Sequence, residues 1–280
     1  MKKSALLASL LASALVLAGC GGGDGGATPP ATEPGTADGG GKPVDPPAPA
    51  NTGSVSAQFV AGAAPRYMLL GIGSQSFGRL DNHTQAADSG AVTVINSTTL
   101  GGDTSTREIS GDAGFAMGRW AKGTVTFSSG TRVLDGVSNA AYHYVLLNSL
   151  PAFPEDAAYT CDAGKFAAPT YIGGSNVAAS AYTGATTGTA TLAFSDKGAA
   201  IGVSLTATAG GISGGVSGNS QVATPSNLGI TGAFLSGGAG IGLQVADAGD
   251  GKALVVAAYK VNLANGAMYQ GVATFSCSPQ

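Results

Sequence analysis

The chain has 280 residues, of which only 10% are charged, and its formal net charge is −3. It contains 46 glycines, far above an average usage of roughly 7%, and each glycine weakens a helix interior by about 1 kcal/mol relative to alanine. The composition therefore disfavours helices and favours short strands joined by glycine turns. The lysines and arginines form no cluster, which excludes a typical nucleic-acid-binding surface and a polybasic membrane patch.

The first 20 residues have the pattern of a bacterial export signal. Lys2 and Lys3 precede an apolar run from Ala5 to Leu17, which is too short to serve as a stable transmembrane anchor. The run ends in Leu17-Ala18-Gly19-Cys20, which resembles the lipobox of bacterial lipoproteins. The resemblance implies that residues 1–19 are removed and that Cys20 carries lipid, such as palmitate. Gly21 rather than aspartate follows, which by resemblance to lipoprotein sorting rules points to the outer membrane and leaves its face open.

Three regions follow the signal peptide. Residues 20–53 are rich in glycine and proline and contain almost no large apolar side chain, which predicts a disordered linker. Loss of Lys2 and Lys3 leaves the mature chain with 11 basic and 16 acidic residues, a net charge of −5. We expect a β-rich region at 54–150 and a β-barrel domain at 151–280, with no further segment apolar enough for a transmembrane helix.

In the region 54–150 the pattern predicts several strands and one loop. Strands are expected at 56–60, 67–72, 91–95 and 141–146, from their β-branched and aromatic content. The polar stretch 96–106 is expected to be a loop. A hairpin is expected from strands 114–120 and 123–127, with its turn at 121–123.

The region 151–280 shows alternation of apolar and polar residues, which is typical of half-buried strands. The predicted strands lie near 157–162, 188–195, 199–207, 212–219, 229–235, 240–246, 253–262 and 268–277. Eight strands close into a barrel whose interior is filled by side chains or holds one small ligand. The fold class is therefore all-β and antiparallel, with a C-terminal eight-stranded barrel.

Two cysteines remain after Cys20. In an exported protein, Cys161 and Cys277 favour one disulfide, because the compartment is oxidising; two free buried thiols are the alternative. Each cysteine follows an aromatic residue by two positions, in Tyr159-Thr160-Cys161 and Phe275-Ser276-Cys277. If these strands are neighbours, the first and last strands of the barrel meet and close it.

A family resemblance rests on a succession of strand segments between about 107 and 277. The segments are Gly118-Arg119-Trp120, Tyr142-His143-Tyr144-Val145, Ala168-Pro169-Thr170, Gly188–Phe194 and Gly271–Phe275. They resemble bacterial lipoproteins that carry the eight-stranded barrel of transferrin-binding protein B and factor H-binding protein. The resemblance implies a binding module whose ligand, a protein or a small molecule, contacts the barrel loops. The chain is far shorter than transferrin-binding protein B and has one barrel, and no loop matches a known contact.

Catalytic and metal-binding patterns are few. Gly211-Ile212-Ser213-Gly214-Gly215 fits the G-x-S-x-G pattern of a hydrolase nucleophile, but no helix pattern and no histidine follow it. His143 stands between two tyrosines, where a structural role is favoured over catalysis, and His83 is the only other histidine. Asp247–Gly251 resembles a calcium loop only in part, and a hairpin turn is favoured.

Two further groups of residues are candidates for recognition. Trp and Arg are common interface anchors, so Arg119 and Trp120 form a candidate binding pair. The favoured interpretation is that Trp120 fills the core or plugs a barrel end, with Arg119 on the opposite face. Glu155, Asp156 and Asp162 form either an acidic rim or a solvated loop.

Together these features predict a lipid-anchored binding or surface-interaction protein of the outer membrane. No catalytic activity, cofactor, metal or nucleic-acid partner is expected, and the protein contacts the membrane through its N-terminal lipid. A structural envelope lipoprotein that binds no small ligand is the alternative, and a serine hydrolase is a remote one.

Overall fold

The computed structural model describes residues 51–137, 139–175 and 182–280, which form 18 strands and no helix. The signal peptide, Cys20 and residues 21–50 of the predicted linker lie outside the described residues. The first eight strands are β1 Pro65–Gly71, β2 Ser74–Arg79, β3 His83–Gln85, β4 Val92–Ile95, β5 Thr98–Asp112, β6 Phe115–Phe127, β7 Gly130–Asp135 and β8 Tyr142–Asn148. The other ten are β9 Ala157–Cys161, β10 Lys165–Phe166, β11 Thr170–Gly174, β12 Ala185–Ser195, β13 Gly198–Ala209, β14 Ile212–Val222, β15 Gly229–Gly232, β16 Gly240–Asp247, β17 Ala253–Asn262 and β18 Ala267–Pro279.

Strands β1 to β8 form one antiparallel sheet in the order β2-β1-β8-β6-β5-β4-β3, with β7 beside one end of β6. Three predictions for this region are wrong. Residues 98–106 are not a loop but the first part of β5; 115–127 form one strand instead of a hairpin; and 56–60 are irregular.

The long pairing of β5 with β6 explains why the predicted loop and the predicted hairpin are wrong. The polar residues Ser105 and Thr106 are buried because they pair with Lys122 and Trp120 of β6. The pairing of β5 with β6 continues across several register shifts, from Thr99–Thr126 to Asp112–Phe115, so β6 passes through Gly123 without turning back. Cross-strand pairing outweighs local strand propensity here, as is common in sheets.

The eight strands predicted for the barrel are all present, as β9 and β12 to β18. Each pairs with its neighbour along this series except at one place, and β9 also pairs with β18, so the first and last strands meet. The short strands β10 and β11, which the pattern did not predict, pair with β18 as well. No ladder joins β14 to β15, so the barrel is nearly closed. That seam is packed tightly, because a side chain added at Gly218 would collide with Thr231.

Cys161 and Cys277 are directly opposite each other in the β9–β18 pair. Their sulfur atoms are at disulfide-bond distance, 2.03 Å. The pair therefore links the first barrel strand to the last, the place that the two aromatic-x-Cys segments indicate.

Buried side chains form three cores. One fills the barrel, the second covers one face of the N-terminal sheet, and the third lies between the other face of that sheet and the outside of the barrel. Strand β17 shows why: Val255, Ala257 and Tyr259 point into the barrel, whereas Leu254 and Val256 contact the third core. Both faces of this strand are apolar because both are covered, and the N-terminal sheet and barrel therefore share a core.

Candidate functional site

Arg119 and Trp120 are adjacent on β6 and both are buried. The indole Nε1 of Trp120 donates a hydrogen bond to the carbonyl oxygen of Val92 at 2.6 Å, in the second core. The guanidinium of Arg119 makes a bidentate ion pair with Glu108, at 2.7 and 2.9 Å. Trp120 is 0% exposed and Arg119 is 3% exposed, so neither residue presents a binding group to solvent.

His143 is fully buried on β8, where it is paired with Arg119 across the β6–β8 ladder. Its Nε2 lies 2.9 Å from the hydroxyl of Thr170 on β11, so the ring connects the sheet to the barrel. Its Nδ1 has no hydrogen-bond partner among the described residues. Burial, and secondarily the charge of Arg119, hold the pKa of His143 well below its ordinary value. His83, on β3, is separated from β8 by three strands in the sheet order and packs edge-on against Phe59.

Ser213 lies inside strand β14, not on a strand-to-helix turn. Its hydroxyl is 2.7 Å from that of Thr208 on the neighbouring strand. The nucleophile-elbow geometry that the G-x-S-x-G pattern requires is therefore not formed at this position.

The acidic residues singled out in the sequence lie at a strand end or in the segments between strands. Asp247 accepts a hydrogen bond from the backbone N–H of Gly249, and Asp162 accepts from Gly164 and Ser276. Glu155 and Asp156 are exposed. Across the described ranges, no group of three or more histidine, cysteine or acidic side chains is arranged to hold a metal ion.

A polar cavity opens where the N-terminal sheet meets the barrel, and we call it the junction pocket. It has a volume of about 310 Å³ and lies between the β1–β2 turn, the β15–β16 loop and strands β17 and β18. Its polar side chains are Ser74, Gln75, Ser236, Gln270 and Lys260. It adjoins the third core, so polar groups lie next to the apolar contact between the sheet and the barrel.

Strand pairing positions these groups. Lys260 follows Tyr259 on β17, so its side chain leaves the barrel on the outer face. Gln270 is paired with Lys260 on β18, and its amide donates a hydrogen bond to the carbonyl oxygen of Gly71, at the end of β1. The two-residue turn Ile72-Gly73, in which Gly73 has a φ of +72°, then brings Gln75 back over the barrel.

Lys260 is the charged group of the pocket and is only 7% exposed. Its ammonium donates to Oε1 of Gln75 at 2.7 Å and to the carbonyl oxygen of Phe234 at 3.1 Å. It also lies 5.2 Å from the centre of the Phe234 ring, within the range of a cation–π contact. Burial lowers the pKa of Lys260 from its ordinary value, since desolvation penalises the charged form.

Sequence reasoning did not select Lys260 or its partners. Gln75 and Lys260 are 185 positions apart, and no local pattern connects them. One signal was present: Lys260 interrupts the apolar run 253–261 of β17. A lysine inside a strand that is apolar on both faces indicates a buried charge, and such charges require a specific partner.

Comparison with known proteins adds no relative: no family model, no curated protein and no solved structure matches the chain. The strands that carry the resemblance to transferrin-binding protein B are present, but the resemblance remains an expectation. In the part of the chain that the structure describes, no helix combines the length and hydrophobicity needed to cross a membrane.

Proposed function

We propose that this protein is a lipid-anchored binding protein of the cell envelope, attached to the outer membrane through Cys20 and without catalytic activity. Its ligand is a small molecule that occupies the junction pocket. The lipobox resemblance supports the anchor. The pocket supports the binding role, and its β15–β16 wall belongs to the barrel loops, the surface that the family resemblance implies for ligand contact.

The observation that carries the binding role is the gathering of polar side chains around one cavity beside the apolar third core. Burying an amide or ammonium without full compensation costs free energy, so a chain that only needed to join two sheets is better served by apolar residues. Four polar side chains and an ammonium instead converge on one cavity. Its volume is at the lower end of the roughly 300–1,000 Å³ range of small-molecule sites.

Anchoring is tested with Cys20→Ser. The wild-type protein should fractionate with membranes and incorporate a labelled fatty acid, whereas the variant should do neither. Release of the wild-type protein into the soluble fraction without label would contradict the anchor. The double variant Cys161→Ala/Cys277→Ala is the matched control, because it removes the two cysteines that the proposal does not lipidate and leaves no unpaired thiol.

Binding is tested by screening purified protein against neutral and charged small molecules that fit the pocket, with the unfolding temperature as the first readout. A true ligand should raise this temperature and perturb the NMR signals of residues around the pocket. If no molecule produces a saturable change there, the binding function is wrong.

A further inference from the structure

We propose that the junction pocket binds a small organic oxyanion, whose carboxylate or phosphate group contacts the ammonium of Lys260. The inference rests on the proposed function, because it names the ligand class of the same pocket. Three features support it: the charge of Lys260, the groups around it, and the shape of the cavity.

The ammonium of Lys260 is buried, and no carboxylate among the described residues pairs with it. The ion pairs formed by the described residues are Arg79–Asp81, Arg119–Glu108 and Lys122–Asp103. Lys260 is absent from them and is held by two neutral oxygen atoms and an aromatic ring. Arg119 is also strongly buried, but its guanidinium is paired with a carboxylate, that of Glu108. The two buried cations therefore differ in whether a carboxylate neutralises them. A buried charge is normally paired, which leaves Lys260 available for an external anion.

The surroundings favour an anion over a cation. No carboxylate lines the pocket among the described residues. The hydroxyl of Ser74 and one of the two amide N–H groups of Gln75 are donors that an oxyanion accepts from, whereas the other amide N–H of Gln75 donates to the carbonyl oxygen of Leu235. Hydrogen bonds between an ammonium and an oxyanion are shorter and stronger than those between neutral groups. An anion at this point also offsets the desolvation of Lys260, which lowers the pKa of its ammonium.

The pocket also limits the rest of the ligand. Ile172, Leu235 and Met268 supply apolar surface in its lining. A volume of about 310 Å³ equals roughly ten water molecules at about 30 Å³ each, which fits a small acid and excludes a lipid chain. The preferred occupant is therefore a short molecule with one oxyanion group and a compact apolar portion.

The test compares an acid with its neutral isostere by NMR titration of the purified protein. Butyrate should bind saturably with shifts at the pocket, inorganic phosphate should compete, and butyramide should bind at least about tenfold more weakly. Affinity for butyrate should fall as the pH rises through the lowered pKa of Lys260, because the neutral amine loses its attraction. Equal binding of butyrate and butyramide would overturn the inference.

Two substitutions test the role of Lys260 directly. Lys260→Met keeps the packing of the aliphatic stem and should reduce butyrate affinity at least about tenfold, whereas the exposed Lys197→Met should leave it unchanged. Gln75→Glu places a carboxylate at the position of the amide, 2.7 Å from the ammonium. It should raise the urea midpoint and abolish butyrate binding, and Gln221→Glu, on the exposed side of β14, should do neither.

Gln75→Glu keeps the test decisive even if Lys260→Met fails to fold. Undiminished butyrate binding by folded Gln75→Glu would refute the oxyanion site. The failure of this inference is also separable from that of the proposed function. A neutral ligand that binds the pocket equally well in Lys260→Met would preserve the function and refute the anion, whereas the absence of any ligand would refute both.

Discussion

Acidification should destabilise this protein through one residue, His143. The ring is fully buried, and its pKa is held well below the ordinary value of 6.5 by desolvation and then by Arg119. Below about pH 6.5 the unfolded chain therefore binds a proton at His143 that the native state does not bind. Since stability rises with pH wherever the unfolded state binds more protons, it must fall as the pH drops through this window and reach its full value above it.

The magnitude follows from the uptake of a single proton. One proton difference changes the free energy of unfolding by about 1.4 kcal/mol per pH unit. Between about pH 7.5 and about pH 5 the contribution integrates to roughly 2 kcal/mol, provided that the native pKa lies below this range. Charging the ring would also set a second cation opposite Arg119 and would alter its contact with Thr170, which connects the N-terminal sheet to the barrel.

Urea unfolding at a series of pH values measures the effect, with the fluorescence of Trp120, the one tryptophan of the chain, as the signal. His143→Gln keeps an amide near Thr170 but cannot take up a proton, so its stability should depend less steeply on pH, by about 2 kcal/mol over the same range. His83→Gln is the matched control and should retain the wild-type slope. Parallel pH dependences for wild type and His143→Gln would refute the reasoning, because the carboxylates common to both would then account for the whole effect.

Two further predictions concern stability. Removing the Cys161–Cys277 link with alanines should lower the free energy of unfolding by up to about 5 kcal/mol, because the crosslink closes a loop with a sequence separation of 116; equal urea midpoints with and without it would contradict this. Gly71→Ala should destabilise by about 1–3 kcal/mol, since its Cβ would collide with the ring of Tyr142, whereas Gly101→Ala meets nothing within 4 Å and serves as the control. An equal loss of stability in both glycine variants would contradict the collision as the cause, because Gly101→Ala creates none.

The barrel was predictable because its signal is local. A strand with one covered face shows apolar residues at every second position. Ile201, Val203 and Leu205 follow this pattern, and all three lie in the barrel core. The repeated aromatic-x-Cys segments indicated that strands near 159 and 275 are neighbours, and β9 pairs with β18. Both inferences depend on the spacing of residues within a single strand, and that spacing is visible directly in the sequence.

The N-terminal sheet was less predictable because pairing decides its strands. The polar residues of β5 have weak strand propensity alone, and they become a strand because β6 supplies partners along its length. Arg119 was a candidate binding residue in the sequence, although a position opposite the core was favoured. Its ion pair with Glu108 was not predictable, because no sequence pattern indicates that Glu108 adopts a φ of +50° and lies beside it.

The sequence alone determined the all-β class and the eight barrel strands, because alternation and glycine turns act over a few residues. It also contains the lipobox on which the anchor proposal depends. Only the tertiary structure decided which polar groups meet. Packing the N-terminal sheet against the barrel places Gln75 beside Lys260, and no carboxylate in the described ranges pairs with the ammonium. That arrangement depends on contacts between residues far apart in the chain, where hydrophobic periodicity carries no information.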